Sequence, residues 1–433
     1  MKKLLIFITL LATLNTVSCG KKNVDTESPA PYEPESVTDN SETTLNIATT
    51  IDLSQVKNEI IKKMGCDVNI KQYSSTDEND ALELINLDMI SGEVFDVVYS
   101  TSEDIHTLTK RNYFTDLSPL MEQSENLKKE DFLPNVFEGL KVDGKIPAIC
   151  DGWILYTAVA KTENVGENME NWTPAQAIKA FNNMPEDMTF LCNEYMEYDR
   201  ENYFIKRVAV DAVDYNNNTC DFGGAFMEML GNINNFPPFS QYIWDNDALI
   251  KNHALVSEVY LFGINCAITQ NLYSDFGCAD ITFVGYPSES GKGYITEVPL
   301  MLGIPENSQN KKQGFRFIDL VINDSLINKS MMYSMPITEK QLTAQLSESK
   351  YNSMSVHCPQ YLPESNEQVQ ISEEALQKIV DYIRSVRFEP YTNNTVQNIV
   401  REEYHKCFAG ESTPQECADI LENRVSIYLS ETE

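Results

Sequence analysis

Between residues 44 and 99 the chain alternates short β-type runs with helical ones, and this alternation narrows the fold more than any other feature. Residues 45–49 (LNIAT) read as a strand. Residues 53–64 read as a helix, with Val56, Ile60 and Met64 four positions apart on one face. Residues 67–71 alternate like a second strand, Ala81–Ile90 repeats the helical pattern with Gly92 as its stop signal, and 94–99 (VFDVVY) is a third strand. Strand, helix, strand, helix, strand at this spacing predicts a parallel α/β sheet, because each crossover helix returns the chain to the same sheet edge.

Further along, Val142, Asp143, Gly144, Lys145 and Ile146 form a hairpin signal with Asp-Gly as its turn. The run 154–160 (ILYTAVA) is β-type. Thr173-Pro174-Ala175-Gln176 reads as a helix start, with Thr173 as N-cap, Pro174 at the first helical position and Gln176 closing a capping box. A second box at Thr413, Pro414 and Glu416 opens a last helix with Cys417, Leu421, Val425 and Tyr428 on one face. Other helices are expected at 312–323, 372–386 and 395–409, and strands at 189–192, 281–285 and 298–304.

The N-terminus has a separate logic. Lys2 and Lys3 precede an eleven-residue run, 4–14, that is apolar but for two threonines, and Thr16-Val17-Ser18 lead to Cys19. A positive start, a short apolar core and small residues before a cysteine predict an export signal. The run is too short for a membrane span, which takes about 18 residues or more. It resembles a bacterial lipoprotein signal, whose cysteine becomes the lipidated first residue. Residues 20–43 contain Pro29, Pro31 and Pro34 and almost no large apolar side chains, so they predict a flexible linker. Its reach as a coil is about 25–30 Å.

Composition and motifs exclude several classes of function. Lys plus Arg number 33 against 65 Asp plus Glu, a net charge of −32, which argues against a nucleic-acid partner. Four histidines, none in an H-E-x-x-H pair, argue against a zinc protease. No G-x-S-x-G nucleophile elbow is present. Residues 285–293 (GYPSESGKG) miss the phosphate-loop spacing and put Gly293 where a magnesium-binding hydroxyl belongs, so they read as a glycine-rich turn. No cofactor or metal is expected. Ten cysteines leave nine besides Cys19, an odd number without a C-x-x-C, and mostly free thiols are expected. Of the three tryptophans, Trp172 precedes a helix N-cap and suits a hydrophobic staple, whereas Trp153 and Trp244 each suit either ligand stacking or burial.

Several stretches together resemble one family. Ser91 to Val98 (SGEVFDVV) is similar to a "G-x-x-P-D-I/V" segment, with Phe95 for Pro. Residues 108–120 (LTKRNYFTDLSPL) are similar to "G-x-L-x-D-L-x-P-L", with Asn112 for Gly. Residues 142–147, followed by Ile154-Leu155-Tyr156, resemble "D-G-K-x-Y … L-Y-Y-N". Asn171-Trp172-Thr173, the acidic-aromatic segment 213–236, Phe283 to Pro287 (FVGYP), Ile304 and residues 315–320 continue the pattern. From about residue 44 onward the chain thus resembles the family 1, carbohydrate-type extracellular solute-binding proteins of ABC importers.

The resemblance implies an α/β, two-lobed periplasmic-binding-protein-like fold (type II), with a hinge between the lobes and a ligand cleft at their interface. It implies a signal at 1–18, a lipidated Cys19 with linker to 43, and a first lobe at 44–150. A mainly C-terminal lobe follows at 151–290, then a return segment at 291–345 and a helical segment at 346–433. Ligands in open α/β sheets sit beyond the carboxyl ends of strands. That rule selects Thr50 and Asp52, Ser100 and Thr101, Asn193 and Glu194, then Trp153 and Tyr156 at the crossing, Trp244, and Tyr294 and Thr296 after the glycine turn. The implied function is a lipid-anchored receptor on the extracellular face of the cell membrane, without enzymatic activity. It would bind a mono- or oligosaccharide by hinge closure and deliver it as a monomer to an ABC permease. A surface-attached carbohydrate-active hydrolase with paired carboxylates is the alternative from another class, and a transport-independent sensor or adhesin is a third.

Overall fold

The computed structural model describes residues 44–75, 80–166, 168–192, 199–215, 217–237, 248–264, 275–277, 279–324, 327, 334–351, 373–390 and 394–431. The signal, Cys19, the linker, Asn193, Glu194 and Trp244 lie outside them.

Along the chain the elements are β1 (Thr44–Thr49), α1 (Lys57–Met64), β2 (Asp67–Gln72), α2 (Ala81–Ile90), β3 (Val97–Thr101), α3 (Ser102–Lys110) and α4 (Pro134–Gly139). Next come β4 (Ala148–Cys150), β5 (Ile154–Lys161), α5 (Pro174–Asn182), β6 (Thr189–Leu191), α6 (Asp199–Asp211) and the short pair β7 (Val213–Asp214) and β8 (Thr219–Cys220). After α7 (Gly224–Ile233) follow β9 (Ala254–Leu261), β10 (Ile281–Thr282), β11 (Ile295–Glu297) and β12 (Leu300–Gly303). The remaining helices are α8 (Lys311–Asn323), α9 (Glu339–Tyr351), α10 (Glu373–Ser385), α11 (Asn394–Phe408) and α12 (Pro414–Glu431).

Two sheets organise these elements. The first has the order β2-β1-β3-β12-β4. β1 runs parallel to β2 and β3, as the opening alternation predicts, and β12 lies antiparallel to β3 and β4. Leu45, Ile47, Val68, Val97 and Val98 on its strands are buried with Ile60, Ile85, Phe315 and Ile318 from the helices beside them. The second sheet runs β10-β5-β9-β6, with β11 also on β5. Its core joins Ala158, Ala160 and Val256 to Trp172, Phe190, Tyr203 and Phe204, and to Val400, Cys417, Leu421 and Val425 from α11 and α12. The fold is therefore two α/β lobes, with α11 and α12 on the second.

The crossings between lobes are short. Residues 151–153 join β4 to β5, and Val298 and Pro299 join β11 of the second sheet to β12 of the first. The strand expected at 298–304 forms as β12, and β11, just before it, is a further strand in the other sheet. Pro299 has no N–H for a ladder and marks the break. A third segment closes the hinge: the Met335 N–H donates to the Trp153 carbonyl at 2.7 Å. Helix α10 bridges both lobes, since Asn135 of α4 donates to the Ile383 and Val386 carbonyls while Tyr382 stacks on Phe283, ring centroids 3.9 Å apart.

Both capping boxes form. The Thr173 N–H donates to Gln176 Oε1 at 2.7 Å, and the Thr413 N–H donates to Glu416 Oε2 at 2.9 Å. Leu429 takes the buried position at the end of α12 that the periodicity assigned to Tyr428. At the glycine turn, Gly285 has φ +69° and a Cβ there would lie 2.4 Å from the Gly293 carbonyl oxygen, so the two strands of this loop touch backbone to backbone. Cys66, Cys150, Cys220, Cys407 and Cys417 are free thiols, as expected; Cys266, Cys278 and Cys358 lie outside the described residues.

Candidate ligand-binding site

The carboxyl ends of β1 and β3 carry the first wall of the candidate site, on the first lobe. The Thr50 N–H donates to the Tyr99 carbonyl at 3.1 Å, which continues the strand pairing one residue past β1. Ser100 Oγ stands 3.3 Å from Thr50 Oγ1 and also donates to the Asp104 carboxylate. Thr101 is exposed and caps α3 by accepting from the Asp104 N–H at 3.2 Å. Burial raises the Asp104 carboxyl above its ordinary value, against the hydroxyls that favour its charged form. Glu103 is raised by burial and by its neighbours Asp104 and Asp80. Asp52 is exposed and accepts from the Ser54 N–H at 2.8 Å, and the Ser54 contacts lower its pKa.

The second wall is aromatic. Tyr156 and Tyr260 face each other across β5 and β9, in register, with ring centroids 5.1 Å apart at 73°. Tyr260 is 50% exposed and Phe262, just past the strand end, is 38% exposed. The Lys206 ammonium of α6 lies 5.5 Å from the Tyr156 ring and 5.9 Å from the Tyr260 ring. It is held by Glu258 at 3.4 Å and by the Tyr286 hydroxyl at 3.1 Å. Tyr156 donates to Glu297 Oε2 at 2.5 Å, and burial together with that carboxylate pushes its phenol far up. Burial, Glu258 and Asp199 push Tyr260 up to about 12. Both phenols therefore stay neutral hydrogen-bonding groups in any ordinary buffer.

The walls also meet at the outer rim. Lys110, at the end of α3, donates to Asn218 Oδ1 in the β7–β8 turn at 3.2 Å. Such a site offers apolar ring faces, hydroxyls and carboxylates, a set that suits the C–H face and hydroxyl edge of a sugar ring. Among the described residues, no cluster of three or more His, Cys, Asp or Glu side chains is placed to hold a metal.

Not every expected residue reaches this space. Trp153 is fully buried: its Nε1–H donates to the Pro336 carbonyl at 2.9 Å and its ring packs edge-on against Phe388. It belongs to the hinge core, which decides between the two roles its sequence left open. Tyr294 and Thr296 are buried as well, and they anchor the segment after α10 instead of lining the cleft. The Arg387 N–H donates to the Tyr294 hydroxyl at 2.7 Å, and Thr296 Oγ1 donates to the Glu389 carbonyl at 2.7 Å. Ser100 is enclosed behind Thr50 and Thr101. The residues missed from sequence are Tyr260, Phe262, Glu258, Glu297 and Lys206. The signal for Glu258, Tyr260 and Phe262 was the β-type run 255–262 ending at Gly263; Lys206 and Glu297 lie outside it.

No family model matches the chain, and no curated protein matches its sequence. Solved structures do match in fold. An extracellular solute-binding protein family 1 from Alicyclobacillus acidocaldarius aligns over 89% of this chain and 98% of its own, with TM-score 0.55 and 11% identity. The sugar-binding protein MalE from Xanthomonas citri aligns over 90% and 98%, with TM-score 0.54 and 14% identity. A de novo designed cysteine esterase aligns over 91% and 99%, with TM-score 0.57 and 11% identity. The chain has the two-lobed, periplasmic-binding-protein-like α/β fold of the ABC sugar-binding solute-binding proteins.

Proposed function

We propose that this protein is a lipid-anchored extracellular receptor that closes its two lobes on a neutral mono- or oligosaccharide and hands it to an ABC permease. The observation that carries this reading is the exposed aromatic corner of Tyr260 and Phe262 beside Tyr156, at the hinge end of the second sheet. An aromatic face covers the C–H side of a pyranose, and Glu258 and Glu297 can accept from its hydroxyls. The fold-level likeness to a sugar-binding protein supports the ligand class, and because fold alone does not fix function, the aromatic and carboxylate chemistry of the candidate site is its second support. Both tyrosines are neutral, and Tyr156 is held by the Glu297 carboxylate as a hydrogen-bonding group. Anchoring rests on the lipoprotein-like start at Cys19.

The test is a thermal-shift panel of maltose, maltotriose, cellobiose, xylobiose, glucose and galactose, followed by chromatography of the bound sugar. The reading expects at least one to raise the unfolding temperature and to be recovered unchanged. A flat panel would overturn the receptor, and a cleaved sugar would favour the hydrolase.

A further inference from the structure

Three large apolar side chains stand in solvent together on the first lobe: Leu87 is 62% exposed, Ile90 76% and Val94 42%. Leu87 and Ile90 are three positions apart on α2 and share a face. The helix then turns sharply into the strand. The Gly92 N–H donates to the Met89 carbonyl at 3.2 Å and the Glu93 N–H to the Asp88 carbonyl at 3.0 Å, with Gly92 at φ +99°. This 5→2 and 6→1 pair is a Schellman stop, and only glycine takes its left-handed position without strain. The turn brings Val94 in after Ile90.

The place of this patch matters. The Asp96 N–H donates to the Asn46 carbonyl at 2.7 Å, and the Asn46 N–H donates to Asp96 Oδ2 at 2.9 Å. Val94 precedes Asp96 by two residues, as Thr44, the first residue of β1, precedes Asn46. Thr50 and Thr101, on the cleft wall, are at the opposite ends of the same strands. Lys71 pairs with Asp88 at 2.8 Å and with Glu93 at 2.5 Å, so one cation offsets half of the charge of these two carboxylates beside the patch.

We propose that Leu87, Ile90 and Val94 form a lipid-contact patch that seats the first lobe on the bilayer surface and leaves the cleft facing away from it. This rests on the membrane-tether reading of Cys19. The entering segment does not suit the patch as its own cover, because residues 20–43 offer only Val24, Tyr32 and Val37 as large apolar side chains. A second copy is disfavoured by a net charge of −32 on each chain. A few apolar side chains bind a bilayer weakly when free. A tether holds them at high local concentration and makes the contact persist.

The experiment places full-length lipidated protein on phosphatidylcholine vesicles, with and without dibrominated phosphatidylcholine. Ile90→Trp is compared with Ile427→Trp, which introduces its indole at an exposed site on α12 of the other lobe, where Ile427 is 50% exposed. The proposal expects the indole at position 90 to lose about half of its added emission to the brominated lipid, and the one at position 427 to lose none. Equal emission at both sites on vesicle-bound protein overturns the patch and leaves the tether standing. Protein that does not float with the vesicles overturns the tether, and the patch proposal with it. Shielding at position 90 that depends on protein concentration and not on bromine assigns the patch to a second copy, and also overturns the proposal.

Discussion

Tyr260 and Trp153 show how burial separates a ligand-facing ring from a structural one. Tyr260 is half exposed at a strand end, whereas Trp153 is sealed into the hinge with its only donor engaged. Tyr260→Ala is expected to weaken sugar binding by about 10- to 100-fold, roughly 1–3 kcal/mol, while the unfolding temperature without sugar stays nearly constant; titration calorimetry and melting curves check the two halves. Trp153→Ala is expected to do the reverse in stability, costing about 3–5 kcal/mol through the cavity it leaves. His106 on α3 gives a pH signature. Burial, with help from Lys110, lowers its pKa from 6.5 to about 4. Between those values the unfolded chain binds a proton that the folded chain refuses. Its contribution is therefore full above pH 6.5 and is lost as pH falls towards 4. His106→Gln is expected to flatten the stability profile in that window by at most about 3 kcal/mol relative to the unmodified chain, as read from denaturant midpoints.

At the scale of elements, local chemistry was readable where it was self-contained. The Thr173 and Thr413 boxes and the Asp143-Gly144 turn formed as the sequence predicted, because each depends on side chains within a few positions, and the first three parallel strands were readable from their regular alternation with helices. Thr173→Ala is expected to cost about 1 kcal/mol by stripping the N-cap of α5, and Thr173→Ser to cost much less; melting curves of the pair check it. Elements that depend on distant partners were hidden. Helix α1 starts at Lys57, four residues later than its apolar spacing suggested, after a turn over 54–56. β9 escaped notice because Ser257, Glu258, Val259 and Tyr260 are only part-buried near the open end of the sheet and do not alternate. β11 was missed beside the expected strand at 298–304 because it pairs with β5 in the other sheet.

On the scale of the whole molecule, the two lobes and the hinge came from the family resemblance, whereas composition and periodicity showed only α/β patterning at each end. The candidate site was half readable. Thr50 and Thr101 stand at the carboxyl ends of β1 and β3 and Tyr156 at the hinge end of β5, but the aromatic partner Tyr260 sits about 100 residues away in sequence, beside Tyr156 only once β5 and β9 pair. The exposed walls, joined at the hinge and touching at Lys110 and Asn218 on the rim, make ligand-linked closure the central claim. Small-angle X-ray scattering of the protein alone, and with a saturating amount of the sugar that stabilises it most, tests that claim directly. The account expects the radius of gyration to fall when the sugar binds. An unchanged radius at saturation would contradict it.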